Sequence, residues 1–498
     1  MAMTIIRGGR VLDAAGHRAE PADVLIDGDT IREIGRPGLA APQDAVTVDA
    51  RDRLLMPGLV NAHTHGHGGL SRGLVGDRVP LELLLTLATG VNGHRSLEDK
   101  ALSATLSAVE MVRRGCTAFL DMYAEFPAPT VEGLHAAARA YRDVGIRAVV
   151  APMMADRTFY QALPGLMEAL PDGVRRRVQA LSAVPWQASI AACRQMLKDW
   201  PFDRDQVRPG LGPTIPLHCT DEFLVACGDL AREHDVPVQI HLAESKTQAV
   251  LGPVKYGGKT LAAHLGGLGL LNPRFSGAHG VWLTRDDVRR LADAGAAVAH
   301  NPMSNLRLGN GIAPVRMMLD AGLRVGVGTD SASSADAQNM FECVRLAAYL
   351  SRVRTPDYTR WLTAEEALTM ATAGSAGVLG MERIGRLAPS YKADVLFLDL
   401  GHPGYVPLND VTVQLVMGES GAALDGVMIG GRMVLEHGRL LTVDEARLRR
   451  QAEAARERLA AANAEALATA RALHPHVGAF CVAMASKPWD LDTREVRL

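Results

Sequence analysis

Three histidines lie within five residues in the stretch MPGLVNAHTHGHGGLSRG, where they follow a short apolar run. They are His63, His65 and His67, and the run before them is typical of a β-strand entered through Pro-Gly and left through glycines. Side chains two residues apart on a strand point to the same side, so His63 and His65 project together. Paired neutral imidazoles can begin a transition-metal site, most often a zinc site. Three surface histidines in a flexible turn are the alternative.

Composition and charge narrow the class of protein. The chain has 498 residues, and its 53 Lys and Arg against 55 Asp and Glu give a net charge of −2. This balance, with no long run of one sign, excludes the basic surface typical of a nucleic-acid binder. Neither a membrane span nor a signal-peptide pattern is present. The six scattered cysteines lack CxxC spacing and predict reduced, mostly buried thiols of a cytoplasmic protein.

Strand-like runs, each followed by a helical pattern, alternate through the middle of the chain. The eight runs are GLVNAHTH, TAFLDMY, RAVVAPMM, VRPGLGPT, VPVQIHLAE, FSGAHGV, AAVAHNPMSN and RVGVGTDSA. Segments such as LEDKALSATLSAVEMVRRG, with apolar residues three and four apart, predict the intervening helices. The order predicts a (β/α)₈ barrel of the TIM type, whose active site lies at the carboxyl ends of its strands.

Metal-binding residue types recur at those strand ends. The first run ends in His63 and His65, the fifth contains His241, the sixth His279 and the eighth Asp330. These residues are far apart in sequence, yet the barrel brings all of them to one rim. Their coincidence at that rim therefore predicts a metal site.

The motifs PGLVNAHTH, HLAE, AHGV, HNPMSNLRLGNGIAPV and GTDSAS resemble the amidohydrolase superfamily. Within it, the chain is most similar to the branch that holds cytosine, guanine, 8-oxoguanine and S-adenosylhomocysteine deaminases and the s-triazine hydrolases. The resemblance extends from the N-terminal strands to about Thr442. The metal ligands that it implies are His63, His65, His241 and Asp330. The ion is expected to be Zn²⁺, with Fe²⁺, Mn²⁺ or Co²⁺ as alternatives.

The resemblance also implies catalytic roles for Glu244, His279 and Asp330. His279 would contact the activated water or the substrate, and Glu244 would shuttle protons. Physical chemistry suggests the same division, because Asp330 beside the metal suits a base and Glu244 suits an acid. An exposed loop carboxylate is the alternative for Glu244.

The number of metal ions can also be predicted. Binuclear members of the superfamily bridge two metals with a modified lysine at the end of strand four, or with a glutamate on strand three or four. The corresponding runs here, RAVVAPMM and VRPGLGPT, contain neither residue type. A single metal ion is therefore expected.

The two ends of the chain predict additional structure. Alternating runs before and after the barrel predict strands that pair into one small composite β-sandwich. The expected boundaries are residues 1–57 and 385–442 for the sandwich, 58–384 for the barrel and 443–498 for a C-terminal helix and tail. The helix is expected from Val443 to about Leu473. The tail from Cys481 has no periodic signal and is a candidate cover for a neighbouring subunit in a homodimer or higher homo-oligomer.

Substrate choice depends on the stretch after strand four, GPTIPLHCTDEFL. Related deaminases commonly have a substrate-contacting histidine and an aromatic residue there, where this chain has Thr214 and Leu217. Both are predicted to line the pocket, and the loop after strand one lacks a tryptophan often found in the family. These differences favour a small-molecule substrate less polar than adenosine or guanine. His218 is predicted at the surface, and His67 either at the surface or behind the metal ligands.

The leading prediction is metal-dependent hydrolysis of a C–N bond other than a peptide bond, through deamination of an N-heterocycle. Hydrolysis of a cyclic amide, urea, carbamate or chloro-substituted triazine-like ring is the first alternative. A catalytically inactive scaffold is the second, but the complete ligand set argues against it.

Overall fold

Strands and helices alternate through most of the chain, and the computed structural model describes residues 3–489. The strands are β1 (Met3–Asp13), β2 (Arg18–Asp27), β3 (Thr30–Gly35), β4 (Val46–Asp49), β5 (Arg53–Pro57), β6 (Leu59–Thr64), β7 (Cys116–Ala124), β8 (Arg147–Met154), β9 (Val207–Pro209), β10 (Gly212–Pro213), β11 (Val238–Leu242), β12 (Phe275–His279), β13 (Ala297–His300), β14 (Arg324–Val327), β15 (Val395–Asp399), β16 (Leu424–Ile429), β17 (Arg432–Glu436) and β18 (Arg439–Leu440).

Most of the helices follow the strands of the middle region. They are α1 (Leu81–Asn92), α2 (Leu97–Val112), α3 (Val131–Val144), α4 (Phe159–Ala162), α5 (Leu166–Ala169), α6 (Asp172–Gln179), α7 (Trp186–Lys198), α8 (Asp221–His234), α9 (Lys246–Lys255), α10 (Leu261–Gly267), α11 (Arg285–Asp293), α12 (Pro302–Arg307), α13 (Val315–Asp320), α14 (Met340–Arg354), α15 (Ala364–Thr369), α16 (Ser375–Leu379), α17 (Val411–Gly418), α18 (Glu445–Ala462) and α19 (Ala464–Ala485). Within residues 3–489, no helix is both long and apolar enough to cross a membrane.

Parallel strands form the centre of the molecule, as the sequence predicts. One sheet has the order β10-β8-β7-β6, with β9 also paired to β8, and a second has the order β11-β12-β13-β14. Each of the eight runs identified in the sequence supplies a strand, and the fourth run supplies both β9 and β10. A parallel bridge between Leu211 and Val238 connects the two sheets. The carboxyl ends of all these strands therefore lie at one edge.

The helix predicted between the first two strands begins at a capping box. The backbone N–H of Asp99 donates to Ser96 Oγ at 3.2 Å, and the backbone N–H of Ser96 donates to Asp99 Oδ2 at 2.9 Å. Two N–H groups at the start of α2 are thereby satisfied, which fixes where the helix begins. The capping box thus explains why this segment folds as the sequence predicts.

Both ends of the chain contribute to a third sheet. Its nine strands follow the order β18-β17-β16-β15-β5-β1-β2-β3, with β4 paired to β1. The N-terminal and C-terminal groups meet where β5 and β15 pair in antiparallel register. A buried ion pair connects this sheet to the central strands: the Arg147 guanidinium, at the start of β8, donates to both carboxylate oxygens of Asp394 at 2.9 and 3.1 Å.

The C-terminal segment differs from the prediction of one helix and an irregular tail. Two helices, α18 and α19, extend to Ala485. They are separated at Asn463, whose side-chain amide donates to the carbonyl of Gly93 at 3.1 Å. The buried face of α19 includes Leu473 and Cys481, and the helix packs against α1 and α9. The last part of the predicted subunit cover, residues 490–498, lies outside the described residues.

The Arg147–Asp394 pair provides a test of how the terminal sheet is attached. Asp394→Ala would leave the buried Arg147 charge unpaired, so we expect the free energy of unfolding to fall by about 3–5 kcal/mol. The matched control is Asp49→Ala, which removes the exposed partner of Arg51 and should leave stability close to that of the wild type. Denaturant unfolding curves of both variants would measure the difference. Equal effects of the two substitutions would contradict this account.

Candidate active site

Five side chains predicted at the strand ends lie together in one buried cluster. They are His63, His65, His241, His279 and Asp330, and each is at most 7% exposed. His63 lies on β6, His241 on β11 and His279 at the end of β12, whereas His65 and Asp330 follow β6 and β14. The ligand atoms of His63, His65 and His241 lie within 4.8 Å of one another, as do those of His63, His279 and Asp330.

Hydrogen bonds to backbone carbonyls fix the proton positions on two of these histidines. His65 Nδ1 lies 2.6 Å from the Met122 carbonyl oxygen, and His241 Nδ1 lies 2.6 Å from that of Thr214. A carbonyl oxygen only accepts, so each Nδ1 carries the proton and donates it. In the neutral rings, both Nε2 atoms are therefore bare and free to bind a metal.

Side-chain amides hold the other two histidines in the same tautomer. His63 Nδ1 donates to Gln239 Oε1 at 2.7 Å, and His279 Nδ1 donates to Asn305 Oδ1 at 2.9 Å. The Nε2 atoms of both histidines are buried and have no hydrogen-bond partner among the described residues. Buried polar atoms without partners are rare in proteins, so these two indicate that the cluster is built around a bound group.

The distances within the cluster fit a divalent ion. His65 Nε2 lies 3.2 Å from His241 Nε2 and 3.3 Å from Asp330 Oδ1. Four ligands held tetrahedrally at about 2.0–2.2 Å from a zinc ion would stand about 3.3–3.6 Å apart. The contact between His65 and His241 cannot be a hydrogen bond, because both Nε2 atoms are bare. A cation between them would turn this repulsive arrangement into an attractive one.

Electrostatics within the cluster also suits a metal. Burial lowers the pKa values of His63, His241 and His279, which favours the neutral rings that metals require. Burial alone would raise the pKa of Asp330, but the surrounding histidines, led by His65, outweigh it and hold that pKa below its usual value. Asp330 is therefore a carboxylate at neutral pH.

Two residues of the cluster have an unusual backbone conformation. His279 has φ of +75° and Asp330 has φ of +62°, both in the left-handed region that non-glycine residues seldom adopt. Each residue lies where a strand passes into the following loop. Unfavourable conformations of this kind concentrate at functional sites, where the surrounding structure imposes them.

Glu244 has the opposite electrostatic character to Asp330. It is 2% exposed, and its Oε1 atom accepts a hydrogen bond from Asn310 Nδ2 at 3.1 Å and lies 3.7 Å from His279 Nε2. Burial raises its pKa well above the usual glutamate value, and the charges of Asp330 and Glu82 add to the effect. This environment favours the protonated form of Glu244, and the buried side chain is not an exposed loop carboxylate.

The residues predicted from the stretch after strand four lie in different places. Thr214 lines the cavity beside His241. Leu217 does not line the cavity as predicted. A 3₁₀ turn (Pro216–His218) places it in the hydrophobic core, and Ile215 lines the cavity instead. His218 is buried rather than at the surface, and burial lowers its pKa to about 3. It does not reach the cavity.

An apolar wall forms one side of the cavity. Its helical part, which we call the α1 wall, is one face of α1 made of Leu81, Leu84, Leu85, Ala88 and Val91. These residues recur at spacings of three and four, as expected for one face of a helix. No lysine or arginine lines the cavity among the described residues. The wall therefore suits an uncharged, apolar group.

Three polar residues that orient His63, His279 and Glu244 were not identified from the sequence. Gln239 stands two positions before His241 on the same strand, so both side chains lie on the same side. Gln239 could therefore have been identified from the sequence as a residue near the site. Asn305 and Asn310 lie within the motif HNPMSNLRLGNGIAPV, but their partners, His279 and Glu244, are distant in sequence. Only the folded chain brings these pairs together.

Comparisons with known proteins agree with this geometry. Residues 54–434 match the model of the Amidohydrolase family. A 5-methylthioadenosine/S-adenosylhomocysteine deaminase of Pyrococcus abyssi is 31% identical over 89% of this chain and 96% of its own length. Among solved structures, an adenosine deaminase of Xanthomonas campestris with bound zinc has a TM-score of 0.80 and 28% identity, covering 92% of this chain and 98% of its own. An atrazine chlorohydrolase of Arthrobacter aurescens TC1 complexed with zinc has a TM-score of 0.79 and 29% identity, covering 91% and 99%.

The Gln239 contact predicts an effect on metal affinity. Gln239→Leu removes the acceptor that fixes the His63 tautomer, so we expect zinc affinity to fall about 10- to 100-fold, the usual effect of losing such a partner. The matched control is Gln206→Leu, because Gln206 lies outside the cavity and donates only a long bond to the Arg142 carbonyl. Competition with a chromophoric chelator would measure both affinities. An unchanged affinity in Gln239→Leu would contradict the assigned role.

Proposed function

The chain belongs to the amidohydrolase family, and we propose that it deaminates an amino-substituted N-heterocycle by metal-dependent hydrolysis. The observation that carries the proposal is the convergence of bare imidazole nitrogens and the Asp330 carboxylate beside the buried Glu244, whose Oε1 atom lies 3.7 Å from His279 Nε2. Enzymes named for deaminating adenine nucleosides are among its relatives, which supports the heterocycle. The close approach of the clustered histidines and Asp330 supports an active enzyme over an inactive scaffold.

We propose that one divalent ion is held by His63, His65, His241 and Asp330. Zinc is the expected ion because it occurs in two of the similar structures, and Fe²⁺, Mn²⁺ and Co²⁺ are alternatives with similar ligand preferences. When bound, such an ion supplies Lewis-acid activation of a water molecule. No lysine lines the cavity among the described residues, which supports a single ion.

The two carboxyl groups divide the proton transfers. The water oxygen forms a bond to the amine-bearing ring carbon, and the Asp330 carboxylate accepts a proton from that water. Glu244 donates its proton to the heterocycle nitrogen. Asp330 then passes its proton to the exocyclic amine, the C–N bond breaks to release ammonia, and the hydroxyl proton returns to Glu244 as the carbonyl group forms. His279 offers a bare Nε2 that accepts a hydrogen bond from the water or the substrate. Two carboxyl groups with opposite pKa shifts are suited to this exchange.

A second candidate reaction is displacement at a substituted triazine-like ring. The α1 wall favours it, because alkyl groups on such a ring would find an apolar surface, and an atrazine chlorohydrolase is similar over most of the chain. The same water, base and acid would act, with chloride or an alkylamine as the leaving group. Ammonia release from amino-heterocycles distinguishes the two candidates.

We propose that the central strands close into a (β/α)₈ barrel of residues 58–384, supported by a backbone hydrogen bond from Asp330 N–H to the His63 carbonyl at 3.0 Å. Residues 1–57 and 385–442 would form the small composite β-sandwich, supported by their shared nine-stranded sheet. Residues 443–498 would form a separate C-terminal extension.

Location and assembly remain predictions from the sequence. The six cysteines are free and buried, which supports the expected reducing, cytoplasmic environment. A homodimer or higher homo-oligomer is expected, with a small molecule as the substrate.

The role of Glu244 predicts a separation between metal binding and turnover. Glu244→Gln keeps the size and polarity of the side chain but removes the transferable proton. We expect ammonia release to fall about a hundredfold or more, the usual scale for general acid–base groups, while zinc content stays at the wild-type level. Steady-state assays with elemental analysis of the same preparations would measure both. Near-normal turnover across the pH range would show that Glu244 carries no proton.

The cavity lining predicts the order of substrate preference. Thr214 and the α1 wall offer no charged partner, so an uncharged heterocycle with an apolar substituent should be preferred over polar purines. We expect higher kcat/KM for 5-methylthioadenosine or an alkylated amino-triazine than for adenosine, guanine or S-adenosylhomocysteine.

Assays of ammonia and amine release on purines, triazines, ureas and carbamates, run side by side, would measure this order. Leu85→Asn should reduce the preference for apolar substituents, whereas Thr89→Asn, on the exposed face of the same helix, should not. A preference for adenosine or guanine would contradict the predicted specificity. Amine release from ureas or carbamates alone would overturn the proposed deamination.

A further inference from the structure

His67 is a buried histidine that the metal cluster and the proton transfers leave unused. It lies in the 3₁₀ turn Gly66–Gly68 directly after His65 and is 7% exposed. Its carbonyl oxygen accepts hydrogen bonds from Arg95 and from Ser103 Oγ, the latter at 2.8 Å. Its ring packs edge-on against Tyr123, with ring centroids 5.9 Å apart. The side chain is therefore held in one position.

The proton on His67 is on the opposite nitrogen from the other clustered histidines. The backbone N–H of Ala124 lies 3.0 Å from His67 Nδ1. A backbone N–H can only donate, so Nδ1 must be the bare acceptor and the ring proton must reside on Nε2. In His65 and His241 the arrangement is reversed, with a proton on Nδ1 and a bare Nε2. His67 Nε2 is thus a hydrogen-bond donor and not a metal ligand.

This donor is available to a molecule in the cavity. His67 lines the cavity together with His65, and their ring centroids are 5.3 Å apart. Ser331 and Ser333 also line the cavity, but they are engaged with one another, since their Oγ atoms lie 2.9 Å apart. Among the described residues, none accepts a hydrogen bond from His67 Nε2. A fixed donor beside the reaction centre is a means of orienting a substrate.

We infer that His67 binds the substrate, with its Nε2–H donating to an uncharged acceptor atom, a ring nitrogen or a carbonyl oxygen of the heterocycle. The inference rests on the proposed deamination and adds the contact that orients the ring. It also explains how the cavity can hold a heterocycle although Thr214, near His241, stands where related deaminases commonly have a substrate-contacting histidine. A substrate analogue without that acceptor leaves the N–H unpaired in a buried site, which costs binding.

The test combines two variants with analogues that each lack one ring acceptor. The probes are 5-methylthioadenosine and its 3-deaza and 7-deaza analogues, assayed for ammonia release by the zinc-loaded protein. His67→Phe keeps an aromatic ring but has no donor, and His67→Gln retains an N–H that can partly restore the contact. Tyr123→Phe is the control, because it changes the residue against which His67 packs without altering the donor. Zinc content and thermal melting are measured for every variant.

We expect the wild type to prefer 5-methylthioadenosine over one of the deaza analogues by about 10- to 100-fold in kcat/KM. His67→Phe should lose that preference mainly through KM and retain zinc, His67→Gln should recover part of it, and Tyr123→Phe should keep it. An active wild type with the same ratio in His67→Phe, or with equal rates on all three probes, would overturn the inference alone. Loss of zinc in His67→Phe with a normal melting temperature would also overturn it, by making His67 a ligand. A wild type that releases no ammonia from any of the probes would overturn the inference together with the deamination of adenine-type substrates.

Discussion

The protonation of Nδ1 on each of four clustered histidines is the constraint on which the site depends. A neutral imidazole has one proton, so a hydrogen bond that holds it on Nδ1 leaves Nε2 bare. The acceptors are backbone carbonyls for His65 and His241 and side-chain amides for His63 and His279. The bare nitrogens collect in one buried cluster with the Asp330 carboxylate, an arrangement that suits a cation held by some of them.

The fold supplies these acceptors from neighbouring strands. Met122, which accepts from His65, lies on β7 next to β6, and Thr214, which accepts from His241, directly follows β10. Gln239 reaches from β11 back to His63 and also donates to the Ala62 carbonyl at 3.0 Å. The order of the strands and the chemistry of the site are therefore connected, because a ligand loses its orientation if its neighbouring strand shifts.

The meeting of His63, His65, His241, His279 and Asp330 could be predicted from sequence because strand periodicity and the order of the parallel strands place them at the same strand ends. Their orienting partners could not, since the His63–Gln239 contact joins residues 176 positions apart. Leu217 lies in the core rather than at the cavity because a short 3₁₀ turn follows strand four, and the family pattern does not reveal that turn. The final helix was underestimated because its buried positions, which include Leu473 and Cys481, are few on an otherwise exposed face. The tautomer of His67 could not be predicted from the sequence either, because it depends on the backbone N–H of Ala124.

Anomalous diffraction at the zinc absorption edge, from crystals of the zinc-loaded protein, tests the central claim most directly. The account predicts one peak per chain, about 2.0–2.2 Å from the Nε2 atoms of His63, His65 and His241 and from one oxygen of Asp330. Two adjacent peaks in the cavity, or a single peak bound to His67, would contradict it.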